Sequence, residues 1–170
     1  MDIGVAEIRR WHVEEKGYKM IYAQHFNQEE FREWSDDMSP RLVTMLDVLR
    51  FRLGSAIAVS ASEYALGREL GRNDLSEHNV DHWQEVLAVD CFISGVYDRA
   101  QVEAVVHEAT NIGFTGIGVY SDTTNNQGEE QVMFHLGVRP TEMMGSPATW
   151  GRVDGEYTTL MAAIQSLKAG

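Results

Sequence analysis

The sequence has few of the residues that mark chains other than ordinary globular domains. Its single cysteine, Cys91, excludes an intrachain disulfide and lies in an apolar run that indicates a core position. Its 3 prolines form no linker. It lacks any run of about 18 apolar residues and any apolar stretch typical of a signal peptide. We therefore expect one domain over residues 1–170, synthesised in the cytoplasm without an export signal of its own.

Basic residues are also scarce. The chain has 14 lysines and arginines against 26 aspartates and glutamates, a net charge of −12 at pH 7. Binding to a nucleic-acid backbone requires clustered positive charge, so we expect no nucleic-acid partner. The same negative field disfavours an anionic membrane surface, so we expect no membrane partner either.

Capping signals and apolar spacing predict helices and strands in alternation. Asn27 and Glu30 form a capping box, and Ser39 followed by Pro40 begins a longer helix that ends at Gly54. The predicted helices cover residues 27–34, 39–53, 98–112 and a tail from 156. The predicted strands cover residues 56–60, 85–94, 114–120 and 131–139, the last two joined by a long hairpin. Helices flanking an antiparallel or mixed central sheet make an α+β domain.

Three polar residues stand in or beside apolar, strand-like runs: His78, Asp90 and His135. An ionised carboxylate in an apolar strand needs a partner or a cation, because burying it alone is costly. Two imidazoles and one carboxylate form a three-ligand zinc set that leaves a fourth position for water. The alternatives are hydrogen-bonded structural histidines and an aspartate that accepts bonds in a turn or is neutralised by a nearby arginine in a plain interaction protein.

Four short blocks carry a family resemblance: Ser76-Glu77-His78, Ala88-Val89-Asp90, GFTGIGVY at 113–120 and FHLGVR at 134–139. In this order they resemble the zinc D-alanyl-D-alanine carboxypeptidases and the phage L-alanyl-D-glutamate endopeptidases, a fold shared with the hedgehog signalling domain. The resemblance covers roughly residues 25–140, leaving 141–170 as a C-terminal extension with a helix.

The resemblance implies a hedgehog-like zinc peptidase fold and a Zn²⁺ ion held by His78, Asp90 and His135. It implies hydrolysis of peptidoglycan stem peptides by a zinc-activated water in a phage-related protein. Such a protein reaches the cell wall after lysis or as part of a virion, where other virion proteins are partners. The alternative is a catalytically degenerate, zinc-binding or metal-free structural module of a virion.

The ligand spacing departs from the family pattern. The first histidine and the aspartate are typically seven positions apart in the family, whereas here 90 − 78 = 12. We expect a five-residue insertion such as HWQEV to loop out between them. If HNVDHW is helical, His82 shares a face with His78 and could replace one ligand. Trp83, within the insertion, either lines a substrate groove or packs in the core.

The catalytic carboxylate is the second departure. Val132 stands where the family has an acidic residue three positions before the last histidine, and Gly137 stands where many relatives have aspartate. Glu129 and Glu130 could supply the carboxylate from the hairpin, the alternative being a solvated turn. The substrate-binding candidates are Ser76, Tyr64, Arg68 and Tyr120. The segment after Pro140 either covers the site or binds a partner.

Overall fold

The chain folds as an α+β domain around a mixed sheet of six strands. The computed structural model describes residues 9–13, 19–140 and 148–170, with side chains from residue 23 onward. The strands are β1 (Arg9–Val13), β2 (Lys19–Ala23), β3 (Ile57–Val59), β4 (Ala88–Ile93), β5 (Gly116–Tyr120), β6 (Met133–Gly137), β7 (Ala148–Val153) and β8 (Glu156–Thr158). The helices are a 3₁₀ helix (Gln28–Trp34), α1 (Pro40–Leu53), α2 (Val80–Trp83), α3 (Arg99–Ile112) and α4 (Leu160–Ser166).

The strands of the large sheet lie in the order β3-β4-β6-β5-β7-β8. Neighbours are antiparallel except β5 and β7, which are parallel. Strands β1 and β2 form a separate antiparallel pair. The predicted long hairpin between the third and fourth strands of the sequence pattern is confirmed as β5 and β6.

The helix boundaries follow local capping chemistry. The capping boxes of Asn27 with Glu30 and of Asp98 with Gln101 are both formed. Helix α1 begins at Pro40 and ends where Gly54 takes a left-handed conformation, as the sequence predicts. The first predicted helix is a 3₁₀ helix. None of the helices in the described ranges has the length and apolar character needed to span a membrane.

The C-terminal segment differs from the sequence-based expectation. Residues Glu156–Thr158 form strand β8, and helix α4 begins later, at Leu160, with Thr159 as its N-cap. The reason is a two-residue turn at Asp154 and Gly155, both with positive φ, which is the type I′ geometry that Asp-Gly favours in hairpins. Strand β7 joins the sheet beside β5, so the described part of the extension belongs to the sheet. Residues 141–147 lie outside the described residues.

The two faces of the sheet differ in chemistry because side chains alternate along each strand. One face contributes apolar side chains to the core together with those of α1 and α3. Its members are Val89, Cys91, Ile93, Ile117, Val119, Phe134 and Leu136. On the other face, cross-strand pairing places Asp90, His135, Gly118 and Trp150 in one row across β4, β6, β5 and β7. The polar row therefore lies on the side of the sheet opposite the main core.

The core can be tested on α1, where Leu46 is 1% exposed and Val48 is 36% exposed. We expect Leu46→Ala to lower the free energy of unfolding by about 2–5 kcal/mol, because it removes buried methyl groups and leaves a cavity. The matched variant Val48→Ala should change it by less than about 1 kcal/mol. Urea unfolding followed by circular dichroism measures both, and equal effects would contradict this packing.

Candidate metal centre

The centre combines two neighbouring strands with one long connection. Asp90 on β4 and His135 on β6 are directly paired, so their side chains leave the same face of the sheet side by side. His78 comes from the connection between β3 and β4 and reaches over this pair. All three residues are buried, at 9%, 5% and 3% exposure for Asp90, His135 and His78.

Backbone hydrogen bonds hold the connection in place. The Arg68 N–H donates to His78 O at 2.8 Å, and the Val80 N–H donates to Arg68 O at 3.0 Å. The fully buried Asn79 side chain donates from Nδ2 to Gly71 O and to Asp74 O, each at 2.7 Å. These hydrogen bonds within the connection fix its conformation, and they therefore fix the position of His78 relative to β4 and β6.

Three ligand-type atoms converge at the centre. His78 Nε2 lies 3.2 Å from His135 Nδ1 and 3.5 Å from Asp90 Oδ1. His135 Nδ1 lies 3.0 Å from Asp90 Oδ1. The three side chains could hold a metal ion. The predicted set of His78, Asp90 and His135 therefore meets in space.

The outer nitrogen of each imidazole has a partner that can only accept a hydrogen bond. His78 Nδ1 contacts the carbonyl oxygen of Leu66, and His135 Nε2 lies 2.7 Å from Glu77 Oε2. Each outer nitrogen must therefore carry the proton, which leaves the inner nitrogen of a neutral ring with its lone pair towards the centre. This outer-sphere pattern is typical of histidines that ligate metals.

Burial and neighbouring charges shift the ionisation of these groups in opposite directions. Burial alone would raise the pKa of Asp90, but hydrogen bonds with His135 and His78 outweigh it and hold that pKa well below its ordinary value. Burial lowers the pKa of His78. Burial would also lower the pKa of His135, but hydrogen bonds to Asp90 and Glu77 raise it to about 9. Without a metal, a proton on His135 thus supplies the positive charge between the two carboxylates.

A cavity of about 340 Å³ opens beside these atoms. Its lining combines the two histidines and two carboxylates with two arginines and four aromatic or hydroxyl side chains around them. The lining residues are Arg68, Ser76, Glu77, His78, Asp90, Tyr120, His135, Arg139, Trp150 and Tyr157. The ring centroid of Trp150 lies 4.8 Å from that of His135, and its Nε1 donates to the Tyr120 hydroxyl at 3.0 Å. Trp150 and Tyr120 thus form one wall of the cavity beside His135.

Three of the four predicted substrate-binding residues, Ser76, Arg68 and Tyr120, line this cavity. Tyr64 lies in a neighbouring groove, where the guanidinium carbon of Arg68 is 5.3 Å from the Tyr64 ring centroid. Arg68 therefore separates the groove from the cavity.

The predicted catalytic carboxylates lie elsewhere. Glu129 and Glu130 are exposed, and neither lines the cavity. Asn125 Nδ2 donates to Glu129 Oε2 at 3.1 Å within the β5–β6 connection, and Glu130 pairs with Thr124 in the same turn. The solvated-turn alternative describes both residues, because both are exposed and these hydrogen-bond and bridge partners lie within the same connection.

The connection between His78 and Asp90 contains the short helix α2, which includes only His82 and Trp83 of the expected insertion HWQEV. His82 does not join the ligand set: its Nδ1 lies 2.7 Å from Arg72 O and its ring packs against Trp83. Trp83 packs partly against the core and donates from Nε1 to Ser76 O at 2.9 Å. The tryptophan that lines the cavity is Trp150.

Three residues at the site have no role predicted from the sequence: Glu77, Arg139 and Trp150. Glu77 and Arg139 lie within motif blocks next to ligands, but their approach to His135 depends on how β5, β6 and the connection pack together. The available signal is the pair of strand glycines, Gly116 and Gly137, which indicates that another group approaches the backbone closely.

Comparisons with protein-family models, with curated proteins and with solved structures find no match to this chain.

Two histidines four residues apart provide a matched test of the ligand set. We expect His78→Ala to lose the bound metal, from about one ion per chain to near zero, because it removes one of three ligands. His82→Ala should retain the metal. Elemental analysis after reconstitution with a divalent metal and dialysis measures both. If His78→Ala retains the metal and His82→Ala loses it, then His82 is the ligand and the assignment of His78 is contradicted.

Proposed function

We propose that this chain is a zinc-dependent peptidase-like protein that hydrolyses amide bonds in peptidoglycan stem peptides, with a hedgehog-like zinc peptidase fold. The observation that carries the proposal is the convergence of His78 Nε2, Asp90 Oδ1 and His135 Nδ1 at the edge of an accessible cavity. These residues occupy the positions that the family resemblance assigns to zinc.

The spacing of the three atoms supports zinc. Tetrahedral bonds of about 2.0–2.2 Å separate ligand atoms by about 3.3–3.6 Å. The separations here are 3.0, 3.2 and 3.5 Å. Two imidazole nitrogens and one carboxylate oxygen are also a donor set that zinc accepts, with a further position left for water or substrate. A bound zinc ion supplies Lewis acidity towards a carbonyl oxygen and lowers the pKa of a bound water.

The cavity carries the groups that a peptide requires around such a centre. Arg68 is held over the site by donating from Nε and Nη2 to Tyr64 O at 3.1 and 2.8 Å, and it presents positive charge to an incoming carboxylate. Tyr120 accepts from Trp150, which leaves its hydroxyl hydrogen to be donated to a substrate oxygen. Burial raises the pKa of Tyr120, so the hydroxyl stays protonated. Trp150 and Tyr157 offer apolar surface beside it.

A second candidate function is a zinc-binding module without turnover. Both carboxylates lining the cavity are engaged: Asp90 Oδ1 belongs to the metal set, and Glu77 contacts His135 and Arg139. Val132, at the position of the family's acidic residue, is 3% exposed and belongs to the hydrophobic core. Among the described residues this leaves proton transfer to Asp90 Oδ2, which lies 3.9 Å from Arg68 Nη2, to Glu77 or to water. That is a weaker arrangement than a free carboxylate beside the nucleophile.

Either version suits a phage-related protein. As a peptidase it would meet the cell wall after lysis or as part of a virion, and as a module it would contact other virion proteins. The acidic surface, with a net charge of −12, fits neither a nucleic-acid nor a membrane partner.

Zinc-loaded protein incubated with purified peptidoglycan tests the activity, with new amino groups and released peptides measured by chemical labelling and mass spectrometry. We expect cleavage by the wild type and a loss of more than about 100-fold in Asp90→Asn, because it weakens a direct ligand. Glu129→Gln and Glu130→Gln should cleave at the wild-type rate, since both residues lie away from the cavity.

The two candidate functions give different results in this assay. A wild-type protein that holds zinc at unit stoichiometry and cleaves neither intact wall nor isolated stem peptides would contradict the peptidase and favour the binding module. Loss of cleavage in Glu129→Gln or Glu130→Gln alone would show that the hairpin supplies the catalytic carboxylate after all.

A further inference from the structure

Glu77 is a buried acid with no role in the family resemblance. Its side chain is 1% exposed, among the lowest values for an ionisable group in the described part of the chain. Its two carboxylate oxygens contact His135 and Arg139. A carboxylate buried against two such partners calls for a specific function or a specific structural reason.

The contacts of Glu77 point to His135. Glu77 Oε2 accepts from His135 Nε2 at 2.7 Å, on the side of the ring opposite the metal-facing Nδ1. Glu77 Oε1 lies 3.0 Å from Nε of Arg139, which follows the last residue of β6 by two positions. The carboxylate thus bridges an arginine and the outer nitrogen of a ligand.

The strand residues that the Glu77 carboxylate contacts are glycines, which have no side chain. Gly116 on β5 and Gly137 on β6 are directly paired. A Cβ atom at Gly116 would lie 2.5 Å from Glu77 Oε2, and one at Gly137 would lie equally close at 2.5 Å. Both distances are far below van der Waals contact, so any other residue at either position would displace the carboxylate. Two glycines in neighbouring strands therefore form a seat for one carboxylate.

We propose that Glu77 is the positioning residue of the metal centre, seated on Gly116 and Gly137 and acting through His135. Its carboxylate fixes the proton on Nε2, orients the ring, and directs the Nδ1 lone pair at the ion. The outer-sphere carboxylate of His135 thus comes from the connection that carries Glu77. Position 137, where many relatives have aspartate, is a glycine in this chain. The inference rests on the metal site of the proposed function but not on peptidase activity.

The first arm of the test measures affinity for zinc by competition with a chromophoric chelator. We expect Glu77→Gln to bind zinc about 10–100-fold more weakly, because an outer-sphere partner of a ligating histidine typically has an effect of this size. Glu129→Gln, a charge-matched change on the exposed hairpin, should bind within about twofold of wild type.

The second arm keeps the carboxylate and removes its seat. Gly137→Ala should also weaken zinc binding, because the new Cβ displaces Glu77. In a Glu77→Ala background the same glycine substitution should add little, since the displaced group is already absent. Additive effects of Gly137→Ala and Glu77→Ala would contradict a shared mechanism. If Glu77→Gln fails to fold, the Gly137→Ala variant still tests the proposal, because it keeps the carboxylate and changes only its position.

The third arm reads the histidine directly. In zinc-loaded protein with ¹⁵N-labelled histidine, the His135 Nε2 should carry a proton with the downfield shift of a hydrogen bond to a carboxylate. That signal should move upfield in Glu77→Gln, where an amide is the weaker acceptor. A purely structural Glu77 would leave both the shift and the affinity unchanged, and that result would overturn the proposal.

The outcomes separate the two proposals. If wild type binds zinc but cleaves no peptide, the peptidase is contradicted while the affinity and ¹⁵N results still decide the role of Glu77. If wild type cleaves peptide and Glu77→Gln matches it in affinity and in the ¹⁵N shift, the activity stands and the positioning role is overturned. Failure of wild type to bind zinc would overturn both.

Discussion

The centre of this protein depends on a single electrostatic constraint: three electron-rich atoms face one another within hydrogen-bonding distance in a buried site. Two imidazole nitrogens and a carboxylate oxygen repel unless a positive charge lies between them. The outer partners of His78 and His135 accept hydrogen bonds, so they direct the lone pairs inward. Either a proton on His135 or a metal ion supplies the charge, and a metal satisfies all three atoms at once.

The sheet accommodates these polar atoms because its two faces carry different kinds of side chain. The face towards α1 and α3 is apolar and belongs to the hydrophobic core. The opposite face carries Asp90 and His135 on neighbouring strands, and glycines at 116, 118 and 137 clear space around them. At Gly118 a Cβ would lie 2.7 Å from Trp150, so the indole can lean towards His135 only because that position has no side chain. The same strands thus contribute core side chains on one face and candidate metal ligands on the other.

The distribution of carboxylates connects this geometry to function. Position 132 faces the core as a buried valine, and the hairpin glutamates are exposed in their own turn. The acidic groups at the site are Asp90, a ligand, and Glu77, an outer partner of a ligand. The three ligand-type side chains could therefore hold a metal ion, whereas within the described residues no carboxylate that lines the cavity is left without a ligand or outer-partner position. The peptidase and the non-catalytic module differ on this point alone.

The sequence by itself determined the elements whose causes are local. Capping at Asn27 and Asp98, the proline start and glycine end of α1, and the type I′ preference of Asp154-Gly155 act within a few residues of chain. It also indicated His78, Asp90 and His135 as candidate ligands, because polar residues in or beside apolar runs are conspicuous and the family resemblance places ligands at these positions. Only the tertiary structure decided which carboxylate serves the site. The contact of Glu77 with His135 and the approach of Trp150 to Gly118 depend on cross-strand register and loop packing. These contacts join residues 58 and 32 positions apart in the chain, so the sequence signals them only indirectly, through the strand glycines that make room for them.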